Sequence, residues 1–359
     1  VYQNKTVLRN LIIENNHAAG GFSGGGVSLN INNTSSDLED DEPVVELFNC
    51  IIRSNISTNR GGGVYVEATD HLIRFNKCQI TNNQATYRGG GIQLRRYFNN
   101  LPQIQVDIIN CTISYNIALG SASQSIPCGR GIGVQGYLHV NIINSIIYGN
   151  YWQVPQGDVT NEETEGYEIS LYQIDENVQN TLNINYSNID GGLGEIYLGY
   201  FDGGTIIEGP GIIDTEPDFV SVEIGTNDYN LLSSSPCIDA GNPDIDGDGD
   251  DFSIDQDDQD PDGTRLDIGA NYFNQSFMAT IASEIPFNTN FSNIPISISF
   301  NYEPVDFSEN LFELSNCTIS NFQTDDYFTY TFELVPTNEG LVTATLPEET
   351  VQNNDGFYN

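Results

Sequence analysis

The chain has 359 residues, enough for two domains, and carries 11 basic against 50 acidic side chains for a formal charge of −39. The imbalance is local: residues 1–130 hold ten of each sign, while 131–359 hold Arg265 alone against 40 carboxylates. Such a polyanion excludes nucleic acid and anionic membrane as partners of that half, and no apolar run approaches the roughly 20 residues of a membrane span. The chain opens at Val1 with neither Met nor a signal segment, so the expectation is a mature or excised piece of something larger.

From the N-terminus the chain repeats itself. "NLIIENN" at 10–16, "NCIIRSN" at 49–55, "KCQITNN" at 77–83, "NCTISYN" at 110–116 and "NSIIYGN" at 144–150 share one frame, which "YSNIDGG" at 186–192 follows loosely. Cys50, Cys78, Cys111, Ser145 and Ser187 are separated by 28, 33, 34 and 42 residues, a period typical of repeat architectures. Within each repeat apolar residues alternate with period two, so the units are strands and not helix pairs. Three strands per repeat are predicted. The first runs through pairs such as Val45/Leu47, Ile73/Phe75, Val106/Ile108, Val140/Ile142 and Leu182/Ile184, and the second through Cys50/Ile52, Cys78/Ile80, Cys111/Ile113 and Ser145/Ile147. The third follows a glycine triplet, as in Val27/Leu29, Val64/Val66 and Ile92/Leu94, with "RGIGV" at 130–134 as a degraded copy. Strands that stack on their equivalents in the next turn make a parallel β-solenoid with an interstrand distance of about 4.8 Å.

The corner residues follow from that stacking. "GGG" before each third strand suits a tight corner where backbones lie close. Asn16, Asn55, Asn83, Asn116 and Asn150 form a second column, whose amides can bond along it and which tolerate left-handed backbone. Cys50, Cys78 and Cys111 read as small apolar core residues, since stacked side chains rarely meet disulfide geometry; Cys128 falls in an insertion. Arg60, Arg88 and Arg130 each precede a corner and are expected to stack. They either pair with carboxylates such as those of "DLEDDE" at 37–42 or line a groove for a sulfated or uronic polysaccharide. Tyr97, Phe98, Tyr148, Tyr151 and Trp152 lie in or near insertions where they could stack on sugar rings.

Repeats of the form N-C-x-I-x-x-N followed by G-G-G-[VI] resemble right-handed parallel β-helix proteins of the pectate-lyase-like superfamily, above all its polymorphic outer-membrane and bacterial surface members. The stretch "DYNLLSSSPCIDAGNPDIDGDGDD … DGTRLDIGANYF" at 228–273 resembles the closing motif of many secreted bacterial β-helix proteins, with "DIGANYF" departing slightly from the usual ending. The resemblance covers about residues 1–273 and implies the right-handed winding and a secreted or cell-surface location in a Gram-negative bacterium.

Inside the closing motif, "DIDGDGDDFSID" at 244–255 fits a calcium loop. Asp244, Asp246 and Asp248 take positions 1, 3 and 5, Gly249 the sharp turn, Asp250 position 7 and Asp255 position 12. Asp at position 12 is similar to dockerin-type loops. Asp257, Asp258, Asp260 and Asp262 follow closely, placed to share that Ca²⁺ or to bind another, because packed carboxylates without a cation repel one another.

Beyond residue 278 the glycine triplets stop. "IPISISF" (294–300), "YFTYTFELV" (327–335) and "LVTATL" (341–346) alternate as half-buried antiparallel strands, so 278–359 is expected to be a β-sandwich. Its sequence resembles a bacterial Ig-like domain.

The expected function is non-catalytic binding or scaffolding outside the cell, as an adhesin, surface-display protein or fibre component. The partners are an extracellular polysaccharide or another surface protein, with end-to-end self-association as a further mode. The superfamily also contains polysaccharide lyases and hydrolases, which is the alternative. Against it, Glu14 and Glu67 fall in different strands of the repeat, and His17, His71 and His139 do not align, so no catalytic constellation is assembled.

Overall fold

The computed structural model describes residues 6–31, 45–68, 72–96, 103–119, 129–152, 167–172, 179–199, 204–223, 226–283, 285, 291–348 and 350–354. The chain divides into two compact units, Val1–Phe273 and Asn274–Asn359.

The first unit is a parallel β-helix. Its first sheet stacks Thr6–Arg9, Val45–Phe48, Ile73–Asn76, Ile104–Ile109, Leu138–Ile143, Asn180–Asn185 and Gly204–Glu208. The second stacks Ile12–Glu14, Ile51–Arg53, Gln79–Thr81, Thr112–Ser114, Ile146–Tyr148 and Asn188–Ile189. A sheet after each glycine corner stacks Val27–Ile31, Val64–Ala68, Ile92–Arg95, Gly129–Gln135, Tyr167–Tyr172 and Ile196–Leu198. The winding also has an element that the three-strand expectation lacks. His17–Ala18, Ile56–Ser57, Gln84–Ala85, Ile117–Ala118 and Tyr151–Trp152 form a fourth parallel stack. Two-residue strands are too short to show a period-two pattern, which is why the alternation does not reveal them.

Stacking is in register. Ile13, Ile52, Ile80, Ile113, Ile147 and Ile189 pair in sequence along the second sheet, and all but Ile13 are fully buried. Each buried isoleucine contributes about 1.5–3 kcal/mol, so this column alone anchors the winding. Cys50, Cys78 and Cys111 are fully buried free thiols in the same core, and Cys78 Sγ donates to Leu47 O at 3.3 Å. The neighbouring thiols, Cys78 for Cys50 and Cys111 for Cys78, and then burial push Cys50 and Cys78 well above the usual thiol range, so they behave as core atoms. Cys128 lies outside the described residues.

The glycine triplet has three separate causes, clearest at residues 61–63. Gly61 has φ +64, the left-handed region. A Cβ on Gly62 would strike Gly90 O of the next coil, and one on Gly63 would lie 2.9 Å from Asn83 Nδ2. The third glycine thus makes room for the asparagine column. In that column Asn55 N and Nδ2 both donate to Asn83 Oδ1 at 3.0 Å, Asn83 does the same to Asn116 Oδ1 at 3.0 Å, and Asn116 to Asn150 Oδ1 at 2.9 Å. Each Nδ2 also donates to a carbonyl, as Asn83 does to Ile52 O at 2.8 Å. The column ends on Glu168, fully buried, whose Oε1 and Oε2 accept from Asn150 N (3.1 Å) and Nδ2 (2.6 Å). These asparagines do not carry the left-handed backbone expected of them. It falls one residue earlier, at Asn15, Ser54, Asn82, Tyr115 and Gly149.

The closing segment does not simply end the solenoid; it runs back along the outer face of the second sheet. Gly269 N donates to Asn144 O (2.8 Å), Ala270 N to Thr112 Oγ1 (3.0 Å), Asn242 N to Asn144 Oδ1 (2.7 Å), and Gln79 Nε2 to Asn271 Oδ1 (2.9 Å). Phe219, Tyr229, Leu231, Cys237 and Ile268 bury Ile146, the outward neighbour of core Ile147.

The second unit is all-β. An antiparallel sheet orders Ala279–Ala282, Ile294–Phe300, Thr329–Pro336 and Cys317–Thr324, and two short antiparallel pairs join Pro304–Val305 to Gln352–Asn353 and Glu313–Ser315 to Thr343–Thr345. Its core is aromatic, with Phe307 edge-on to Phe300 at 4.7 Å and to Tyr330 at 4.8 Å.

Candidate functional site

The acidic loop is built from a run of Asx turns. Asp246 Oδ1 accepts from Asp248 N (3.2 Å), Asp248 Oδ1 from Asp250 N (2.8 Å), and Asp255 Oδ1 from Asp257 N (3.0 Å). Gly247 and Gly249 have φ +79 and +88, which lets the chain turn tightly between them. One carboxylate oxygen each from Asp244, Asp246 and Asp248 lies within 4.8 Å of the others, the separation that oxygens around one hard cation adopt.

Asp258 completes the picture from farther along the chain. It is fully buried; its Oδ1 accepts from Ile245 N at 2.5 Å, inside the loop, while its Oδ2 is buried with no hydrogen-bond partner. Asp244 Oδ1 is likewise buried without a partner. Burial, together with the charges of Asp255, Asp244 and Asp246, pushes Asp258 above the usual carboxylate range. Two buried carboxylate oxygens without a hydrogen-bond partner among the described residues, one of them in the triad itself, are expensive unless a cation meets them, and the all-oxygen donor set is that of Ca²⁺.

The other aspartates of the set lie outside this cluster. Asp250 and Asp257 are exposed, and Asp255 caps the short helix Gln256–Asp258. Asp262 accepts from Thr264 N (3.2 Å) and Oγ1 (2.8 Å). Asp260 turns away to accept from Asp267 N at 2.8 Å, and Asp267 accepts from Asp239 N and Phe273 N. Burial raises Asp260 to about 6 and Asp267 to about 7.

The arginines do not form one column. Arg60 and Arg88 bridge in parallel, but the register Ile92↔Ile132 sets Arg130 opposite Gly90, two positions from Arg88. The reason is local: this copy reads "GRG" where the others read "RGGG". Arg88 is buried with its guanidinium 4.9 Å from the Tyr172 ring centre, and Arg130 pairs with Glu195 at 3.1 Å. The acidic insert 37–42 proposed as their partner lies outside the described residues, as do Tyr97, Phe98 and His71. Tyr148 packs beneath the closing segment, and Tyr151 is exposed. Sequence reasoning placed Asp258 only in a trailing set; what singles it out, the fold-back onto Ile245, has no local signal.

No helix among the described residues is long and apolar enough to cross a membrane. Comparison with protein-family models, curated proteins and solved structures finds no match to this chain.

Proposed function

We propose that this chain is a calcium-stabilised extracellular scaffold, a right-handed β-helix of the pectate-lyase-like kind followed by an Ig-like module, that presents its long faces to an extracellular polysaccharide or surface protein. The observation that carries the reading is the cluster of Asp244, Asp246 and Asp248, with one carboxylate oxygen of each within 4.8 Å of the others, together with Asp244 Oδ1 and Asp258 Oδ2, both buried without a hydrogen-bond partner among the described residues. Calcium modules that work outside cells need only Kd values of about 10⁻⁴–10⁻³ M, which a half-exposed loop can supply. The ion would fasten the acidic loop to the closing segment, and through it to the second sheet. Thermal melting with calcium and with chelator tests it. Saturating calcium at about 100 Kd is worth about 2.7 kcal/mol, a rise of about 5 °C or more in Tm. Asp258→Asn should abolish that rise and, without calcium, melt higher than the parent because a buried charge is gone. Identical melting curves for the parent with and without calcium would refute the reading.

A further inference from the structure

Between the solenoid and the closing segment of the first unit lies a cavity of about 350 Å³. Small-ligand sites start at about this size, roughly 300–1,000 Å³. Phe48, Asn49, Lys77 and Asn110 form one wall, at the corners between the first and second sheets; Asp260 and Tyr272 stand on the other.

The corner column is where the site departs from structural need. Asn10, Asn49, Asn110 and Asn144 hold left-handed backbone with φ 49 to 55, a conformation that asparagine adopts readily. Lys77 occupies the same position with φ 52 and has no such ease. Its side chain is exposed and holds no ion pair among the described residues. Its ammonium lowers the Asp260 carboxyl across the cavity, against the burial that raises it, and keeps hydrogens to donate into the cavity.

The remaining wall groups are fixed and keep spare capacity. Asn110 is 8 % exposed and its Oδ1 has no hydrogen-bond partner. Asn49 Nδ2 donates to Asn10 Oδ1 at 2.8 Å, leaving its own oxygen as an acceptor. Asn271 accepts from Gln79 and donates to Asn230 Oδ1 at 2.7 Å, with a second N–H to give. Asp260 Oδ2 accepts from Asp267 N, and its other oxygen is left for a donor. Amides that give and accept, beside a carboxylate that accepts, suit vicinal hydroxyls, and the Tyr272 and Phe48 rings suit the C–H face of a pyranose. Lys77 faces Asp260 and Asp267 across the cavity wall, so the site has no excess positive charge with which to hold an anion.

We propose that this cavity binds one uncharged hexose unit of a saccharide, with Lys77 and Asn110 as its principal polar contacts. The inference rests on the preceding reading only in taking a saccharide as the partner; it does not need the calcium ion. The test titrates the intact chain, at fixed calcium, with glucose, galactose, mannose, glucuronate and galacturonate by ligand-observed NMR and calorimetry. At least one neutral hexose should bind one to one in the millimolar range, about tenfold more tightly than either uronate. Lys77→Met and Tyr272→Ala, both at exposed side chains, should each weaken it about tenfold with melting unchanged; Asn110→Ala should do the same if it folds. Absence of saturable binding by all three hexoses, preference for a uronate, or undiminished binding by both surface variants would overturn the proposal. A calcium-dependent melting shift that persists in those cases leaves the scaffold reading standing.

Discussion

The asparagine column of the solenoid and the acidic closing segment belong to one compact unit yet satisfy their polar groups in opposite ways. In the solenoid every buried amide of the asparagine column finds its partner one coil away, because translation places an identical side chain there. The closing segment has no copy of itself to stack on. Its carboxylates accept from amides two residues ahead, and two buried oxygens, at Asp244 and Asp258, are left over. Repetition completes the asparagine column from within; the closing segment leaves two carboxylate oxygens for something from outside.

The contrast can be broken most forcefully in the solenoid. Asn83→Ala leaves Asn55 N and one of the two Asn55 Nδ2 hydrogens buried without an acceptor, at about 1–3 kcal/mol each, so a loss of about 3 kcal/mol or more is expected in urea unfolding. Chelation should act on the other region and by less, the approximately 2.7 kcal/mol of bound calcium, and should leave the Asn83→Ala deficit unchanged if the regions are independent. Gly63→Ala comes next, at about 2 kcal/mol, since its methyl group would press on Gly91 O, Asn83 Nδ2 and Ile80. The smallest effect sharpens the comparison at the one acidic rung. Burial drives the Glu168 carboxyl well above its ordinary value, although Asn150 and Arg130 oppose the shift. A raised carboxyl favours the fold below the unfolded pKa, and that advantage is lost as pH rises toward the folded value. Glu168→Gln should therefore flatten the decline in stability from pH 5 upward, measured by denaturant midpoints at several pH values; an unaltered slope would show that Glu168 does not titrate in this way.

Much of the winding was legible because its signal repeats. The pairs Cys50/Ile52, Cys78/Ile80 and Cys111/Ile113 announce an inward column, and the structure stacks Ile52, Ile80 and Ile113 in register and fully buried. Ile294–Phe300 was legible from alternation alone. Tyr167–Tyr172 was not, since a long insertion precedes it and no glycine triplet introduces it. Arg130 was misaligned because arginine was matched to arginine, whereas the register is set by the inward residues Ile92 and Ile132. At the acidic loop the spacing of Asp244, Asp246 and Asp248 was readable, as in any local turn. The part of Asp258 was not, because it depends on the chain returning to Ile245 thirteen residues later.

The asparagine column has a direction. Every rung hands its backbone N–H and one side-chain hydrogen toward the C-terminal side and receives at its side-chain oxygen from the other, so an amide can always be followed by another amide. A winding duplicated or deleted upstream of Asn150 would meet the same chemistry at both joins. Glu168 offers two oxygens and, when ionised, no hydrogen to pass on, so the series closes there. One residue thus limits how far the molecule can lengthen by copying itself, and from which end.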